Sequence, residues 1–325
     1  MKKEVIVTGY AYPFIDPFVL SYWLPALTYL NVFSYGISRE GELVPLNDES
    51  LIRTAKIGGA MPLMVITPMD ETGMFNEALA AYVVSTAERR QALIDAIKVN
   101  IETKGLGGVD FDFEYVPVGS RDNYSTLVSE AREQLNPLGY VVTVALAPKT
   151  SAEQKGLLYE GHDYGAMGAA ANYALLMTYE WGYTFGPPLA VSPINQMRRV
   201  LDYGVTEIPR EKILMGMPNY GYDWKLPFVQ GKSQAEKISN EEAAARARRY
   251  GVNVQYDMQS QAPNYTYYDS EGIQHQVWFE NENSIRAKLA LVEEYDLAGV
   301  GFWNIMNYPM ANRTVLEEMY QIVKV

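Results

Sequence analysis

Along the chain, short apolar and β-branched runs alternate with longer segments whose apolar residues recur every three or four positions. That alternation predicts strands and helices in succession, and hence a parallel sheet. Eight strands are predicted, over residues 4–10, 30–35, 61–67, 107–113, 140–146, 173–178, 213–217 and 298–303. Between them, Leu93, Ile97 and Ile101 fall on one helical face, and Gly105 follows as a stop. Tyr124, Leu127, Val128, Ala131 and Leu135 repeat the pattern ahead of Asn136 and Pro137. Ser192 and Pro193 supply a capping hydroxyl and a first-turn proline for a helix through Ile194, Met197 and Leu201, which Gly204 closes. Ile285, Leu289 and Val292 mark the last helix before the eighth strand. The predicted fold class is α/β: eight such units close into a (β/α)8 TIM barrel, an architecture of about 250 residues.

The surplus length falls between the seventh strand and its helix. Residues 222–280 read as a small α+β insertion, leaving 1–221 and 281–325 as the barrel. In the insertion, Ser239 and Glu242 form a capping box that opens a helix through Tyr250. Strand-like segments follow at 252–256, 265–268 and 273–279, the last two joined by a turn at 269–272.

Composition narrows the function. The 27 basic and 39 acidic side chains of the 325 residues give a net charge of −12, which argues against nucleic-acid binding. The absence of cysteine excludes disulfides, thiolate metal sites and cysteine nucleophiles, and two histidines, His162 and His275, are too few for a histidine metal cage. No apolar run approaches the ~18 residues that span a bilayer. The opening Met1-Lys2-Lys3-Glu4 leads into a segment broken by Pro13, Asp16 and Pro17, so no secretory signal is expected. The chain carries 25 Tyr, 5 Trp and 10 Phe, rings that stack on sugars or fill half-buried positions.

The chemistry concentrates in residues 107–115, Gly-Gly-Val-Asp-Phe-Asp-Phe-Glu-Tyr. On a strand, Asp110, Asp112 and Glu114 share one face, and Phe111 and Phe113 the other. In a barrel buried on both sides, the phenyl rings pack under the helices and the carboxylates line the interior, about 6.6 Å apart along the strand. Like charges so placed resist one another's ionisation, so a proton is held or shared near neutral pH. Glu114, nearest the end of the strand where barrel active sites open, is the natural proton donor. The residues alone leave other readings open: a solvated acidic face, a Mg²⁺ or Ca²⁺ site, or an acid and nucleophile pair.

The pattern Gly108-x-Asp110-x-Asp112-x-Glu114 on a fourth strand resembles the signature of glycoside hydrolase family 18, the chitinases and related N-acetylglucosaminidases. Further segments resemble the family in order: Thr8-Gly9-Tyr10, Met177-Thr178-Tyr179-Glu180, Met215 to Gly221, and Gly299-Val300-Gly301-Phe302-Trp303. The insertion lies where the family's α+β domain lies. The resemblance implies a retaining hydrolase of N-acetylglucosamine-containing glycans that needs no metal or organic cofactor. Glu114 would protonate the glycosidic oxygen while the substrate's own 2-acetamido carbonyl attacks the anomeric carbon. Asp112 would orient the acetamido group, Asp110 would hold a proton for Asp112 and help set the pKa of Glu114, and Tyr179 would donate to the acetamido oxygen. Trp303 would form the floor under the reacting sugar, with Met177 packed beneath it and Glu180, Tyr10, Tyr220 and Trp224 contacting the glycan.

Two positions depart from the pattern: Gly107 replaces its leading Asp, and Glu180 stands where chitinases carry Asp. The stretch from Met177 to Tyr183, continuing to Pro188, is more like the spore-cortex and peptidoglycan-directed members, here without LysM repeats. With no secretory signal expected, a cytoplasmic or spore-associated protein is expected rather than a secreted one. The net charge is expected to disfavour carboxylate-rich wall polymers and to tolerate cortex strands whose muramic acid is a neutral lactam. The rivals are a chitinase-like lectin that has lost turnover and a carboxylate-metal hydrolase.

Overall fold

The computed structural model describes residues 2–70, 72–308 and 310–325. Seven parallel strands follow one another around a barrel: β1 (Glu4–Ala11), β2 (Tyr29–Tyr35), β3 (Met61–Ile66), β4 (Gly108–Phe111), β5 (Val141–Leu146), β6 (Tyr173–Leu176) and β7 (Ile213–Pro218). A second sheet is inserted next, from β8 (Gly221–Lys225), β9 (Glu236–Ile238), β10 (Gln255–Asp257), β11 (Ala262–Tyr268) and β12 (Gln274–Trp278), in the order β10-β11-β12-β8-β9. The eighth barrel strand, β13 (Gly299–Trp303), pairs with both β7 and β1 and closes the ring. The short β14 (Gln321–Ile322) pairs in parallel with the start of β1, at Glu4 and Val5.

Helices cover the barrel: α1 (Pro17–Trp23), α2 (Glu49–Ile57), α3 (Glu77–Val84), α4 (Ala87–Lys104), α5 (Arg121–Leu135), α6 (Tyr164–Ala170) and α7 (Ile194–Glu207). The remaining three are α8 (Asn240–Arg249) in the insertion, α9 (Glu282–Glu294) and α10 (Met310–Met319). None of the helices in the described residues is long and apolar enough to cross a membrane.

Strand alternation divides the core into two shells. Val109, Phe111 and Phe113 point outward and are fully buried under the helices, where the Phe113 ring stacks on Tyr124 of α5 with centroids 5.0 Å apart. Leu63, Val65, Leu175 and Leu214 fill the barrel interior. A side chain at Gly108 would place its Cβ 2.0 Å from the Val141 carbonyl oxygen, so only glycine lets β4 and β5 approach there.

The pairing of β4 stops at Phe111, short of the predicted strand end at 113. One further bond, from Asp112 N to the Ile66 carbonyl, carries the chain onward before it turns away. Asp112 and Glu114 therefore sit on the rim above the ladder. The predicted start and end of α7 need correction. The Ser192 hydroxyl turns back to the Thr178 carbonyl and does not cap, while the Ile194 N–H is taken by the Ser260 carbonyl. Gly204 lies inside α7, which runs on to Glu207; it is small because Leu176 packs where its Cβ would be, 2.9 Å away. The strands β8 and β9 are additions to the predicted insertion.

Candidate active site

A cavity of about 500 Å³ opens at the C-terminal ends of the barrel strands. Of the predicted site residues, Tyr10, Asp112, Glu114, Met177, Tyr179, Glu180 and Trp303 line it together. Trp303 forms its aromatic floor, with its ring against Tyr10, Tyr12 and Phe33 at centroid distances of 5.6, 6.4 and 4.9 Å.

Asp110 lies beneath, in the barrel interior. Its Oδ2 accepts from the Tyr10 hydroxyl at 2.8 Å and its Oδ1 from Thr143 Oγ1 at 2.5 Å. Thr143 stands beside it because Asp110 and Thr143 are register partners on β4 and β5. Burial raises the Asp110 pKa, and the bonds from Thr143, Tyr10 and Asn31 pull it back. Asp112, one step higher, has none of that support: its Oδ1 is buried with no hydrogen-bond partner. Burial, then the charges of Glu114 and Asp110, push its pKa well above the usual carboxylate range.

Glu114 is pushed up to about 7, by burial first and by the charge of Glu180 second. Asp112 and Glu114 repel each other's charge within the row of acids, and the charge of Glu180, beyond β6, adds to that on Glu114, a contribution that sequence reasoning did not count. Tyr179, raised by burial and by Asp112 and Glu114, lines the same cavity and its hydroxyl bonds to no described protein group. Gly216 makes room for it, since a Cβ there would lie 2.7 Å from the Tyr179 ring.

The segment beyond β4 is fixed from behind. His162 Nδ1 accepts from the Ala147 N–H at 2.9 Å, so Nε2 carries the proton and donates to the Phe113 carbonyl at 2.8 Å. Burial drives the His162 pKa down to about 4, which keeps the ring neutral. Glu114 follows directly on this anchored carbonyl.

Glu180 adopts a left-handed backbone, φ 66°, a conformation that costs a non-glycine residue about 1 kcal/mol or more. Its carboxylate accepts from the Tyr220 hydroxyl and from the Tyr222 hydroxyl at 3.0 Å. Tyr220 is thus buried behind the cavity wall and acts on it through Glu180. Trp224 does not reach the cavity. It is displaced along β8, where its Nε1 donates to the Gly186 carbonyl at 2.9 Å and its ring packs against Gly182, bracing the 182–186 loop. Sequence reasoning missed Tyr222, Thr143 and the rim aromatics Tyr12, Phe75, Tyr115 and Trp181. Thr143 had a visible signal, as a lone hydroxyl in the run Val141-Val-Thr-Val-Ala-Leu146. Among the described residues, no group of three or more His, Asp or Glu side chains is arranged to hold a metal ion.

Two buried carboxyls with raised pKa values, Glu114 and Asp112, share one cavity with Trp303 at the C-terminal end of a barrel, an arrangement suited to glycosidase chemistry. The family model of glycosyl hydrolases family 18 matches residues 71–307, and the chain belongs to that family. It is a glycoside hydrolase acting on glycans that contain N-acetylglucosamine. It is 38% identical over 302 residues to the cortical fragment-lytic enzyme of Bacillus anthracis, covering 92% of this chain and 70% of that protein. It is 35% identical over 294 residues to the putative sporulation-specific glycosylase YdhD of Bacillus subtilis (strain 168), covering 90% and 69%. The crystal structure of the Bacillus cereus spore cortex-lytic enzyme SleL superposes with a TM-score of 0.95 at 37% identity, over 100% of this chain and 76% of that one.

Proposed function

We propose that the protein cleaves N-acetylglucosaminyl bonds of spore-cortex-type peptidoglycan by substrate-assisted catalysis with Glu114 as the acid. The observation that carries this reading is the Glu114 carboxyl, held up to about 7 in the same cavity as the open oxygen of Asp112 and the uncommitted hydroxyl of Tyr179. Glu114 gives its proton to the glycosidic oxygen as the bond to the anomeric carbon breaks. The acetamido carbonyl oxygen of the same sugar closes on that carbon, forming an oxazolinium-type ring. Asp112 passes its proton to Asp110 and, as a carboxylate, accepts the acetamido N–H and balances the positive charge. Tyr179 donates to the attacking oxygen and fixes its approach. Water then opens the ring, giving its proton to the Glu114 carboxylate, and the configuration is retained.

The cortex preference is supported by the similarity to proteins described as cortical fragment-lytic and spore cortex-lytic. The glycan-binding rival without turnover is disfavoured by the presence of Glu114 itself. The test is Glu114→Gln assayed on cortex fragments, with products read by mass spectrometry. Turnover is expected to fall by about three orders of magnitude or more while glycan binding persists. A variant with ordinary turnover removes Glu114 from the acid's role.

A further inference from the structure

We propose that His162 is a positioning residue of the reaction: its ring takes the place of one rung between β4 and β5 and thereby fixes where Glu114 stands at the barrel mouth. The inference rests on the reading above, in which Glu114 is the acid, and adds a group that acts on it through the backbone.

The placement follows from the ladder. Parallel strands are joined by evenly spaced bonds, two residues apart on each strand. Here the Val141 N–H donates to the Gly107 carbonyl at 3.0 Å, and the register runs on from Gly108 and Val141 to Phe111 and Val144. Continued in steps of two, the same ladder would bring the Ala147 N–H onto the Phe113 carbonyl. Both groups meet His162 instead, the first donating to Nδ1 at 2.9 Å and the second accepting from Nε2 at 2.8 Å. A ring and two bonds replace one bond, so the two segments stand apart where Glu114 follows Phe113.

The neighbouring residues are fitted to this approach. A Cβ at Gly161 would lie 2.1 Å from the Val116 carbonyl oxygen, so glycine lets the stretch before His162 pack on the chain just beyond Glu114. The His162 carbonyl accepts from Lys149 Nζ at 2.8 Å, the Tyr164 hydroxyl donates to the Ala147 carbonyl at 2.6 Å, and the Tyr124 ring lies beside the imidazole at 6.0 Å between centroids. Pro148, Leu158 and Tyr159, from the stretch so held, line the cavity. His162 therefore joins the acid to a wall of its own cavity.

The plain alternative is a satisfied core histidine that serves stability alone. The position asks for a group that accepts on one edge and donates on the other, which a neutral imidazole does across a rigid ring. The titratable groups facing it are Tyr124 from α5, Tyr164 from α6 and Lys149 beyond β5, whose own charged neighbours are Asp163, Arg121, Glu153 and Glu160. Burial keeps both tyrosines neutral, and the Lys149 charge opposes a second charge on the ring. Glu114 faces Asp112 on its own segment, Tyr115 beside it, and Tyr179 and Glu180 beyond β6. Releasing the Phe113 carbonyl lets the Glu114 segment shift toward water, where its proton is held less firmly.

The test measures kcat, KM and the pH profile of kcat/KM on cortex fragments for the wild type, His162→Phe, His162→Asn and His162→Gln. Phenylalanine keeps a ring and removes both bonds, asparagine is too short to span both groups, and glutamine carries a donor and an acceptor at its end. In the Phe and Asn variants kcat is expected to fall about tenfold to a hundredfold with KM within about threefold, and the basic limb to move to lower pH by about half a unit or more. His162→Gln should regain most of both. His162→Asn reads the limb if His162→Phe does not fold. A limb that stays in place in the folded variants overturns the positioning role, because lost stability lowers the amount of active protein and not the pH at which the acid titrates. A second readout needs no turnover: the chain has two histidines, so its imidazole ¹⁵N resonances are assigned with one variant. His162 is expected to show a neutral ring protonated at Nε2 and unchanged from about pH 5 to 8, and a ring that titrates in that range overturns the proposal. A wild type that cleaves neither cortex fragments nor N-acetylglucosamine oligomers overturns the glycosidase reading instead and leaves the ring spectrum as it was.

Discussion

Asp223 in the insertion and Asp112 at the barrel mouth are almost equally buried, 3% and 5% exposed, yet their surroundings are opposite. Asp223 accepts from His275 Nδ1 at 2.7 Å, from Arg246 at 2.5 Å and from the Tyr267 hydroxyl at 2.6 Å. Glu280, buried as deeply, is paired with Lys288 and takes the Ser284 hydroxyl as well. Asp112 has an oxygen with no partner, and the charges nearest to it are those of Glu114 and Asp110. Burying a carboxylate costs several kcal/mol unless cations and donors surround it. The same fold meets that demand in one place and leaves it unmet in another. The unmet demand marks where a ligand, arriving with an N–H and a developing positive charge, completes the site.

The same substitution at both positions gives the largest expected contrast. Asp112→Asn should lower kcat by about a hundredfold to a thousandfold, because the transition state loses its counter-charge. Its thermal stability should hold or rise. Asp223→Asn should do the reverse: about 2–4 kcal/mol of stability lost, because Arg246 and His275 lose their buried acceptor and keep only the less buried Glu236, Glu242 and Asp269, with kcat of the folded protein near that of the wild type. Activity assays and denaturant titrations on the pair decide it. A stability loss in Asp112→Asn as large as that in Asp223→Asn would erase the distinction.

A smaller effect sharpens the contrast through pH. Glu114 titrates at about 7 in the folded protein, against an ordinary value of 4.5. The folded state then holds a proton that the unfolded chain gives up, so stability falls as pH rises from 4.5 to 7 and the full cost is present above 7. Glu114→Gln removes that cost. The variant is expected to be more stable than the wild type at pH 8, by up to roughly 3 kcal/mol, and to lose the advantage below about pH 4.5. Denaturant midpoints at pH 4, 6 and 8 check the trend. A flat difference across them would mean that the proton on Glu114 is not held by the fold.

Much of this contrast can be read from the chain, for a local reason. Strict alternation from Val109 to Glu114 makes the acids share one face and the rings the other, and no tertiary contact is needed to see it. The barrel itself is legible because each strand is a short apolar run and each helix a repeating face. What is hidden depends on partners remote in sequence. Nothing near Phe113 announces that His162, 49 residues away, holds its carbonyl. Tyr220 and Tyr222 fall two apart on the approach to β8, but that they grip Glu180 depends on the left-handed turn ending β6. Trp224 continues the same row of aromatics and is carried out of reach because each further step along β8 leads away from the mouth. Gly204 misleads for a similar reason: a glycine inside α7, chosen for the packing of Leu176, looks like a helix end when only its neighbours in sequence are considered.

The smallest expected effect isolates the charge that separates the two regions. The charge of Glu180 raises the pKa of Glu114, beside the mutual repulsion of Glu114 and Asp112. Its own oxygens are held by tyrosine hydroxyls, so Glu180→Gln keeps the shape and both hydrogen-bonding partners while deleting the charge. With that charge gone, burial and the neighbouring Asp112 still hold the proton on Glu114, and its pKa falls below about 7. Glu114 acts as an acid, so kcat/KM declines as pH rises through this value. The basic limb of the pH profile should therefore move to lower pH, by about half a unit to one unit, a coupling of about 1 kcal/mol. Burial was the larger cause of the elevated value, so the limb should stay above the position of an ordinary glutamate. A limb that stays in place would show that Glu180 does not set the acid, and a limb that moves to higher pH would mean that Glu114 is not the group that gives up the proton.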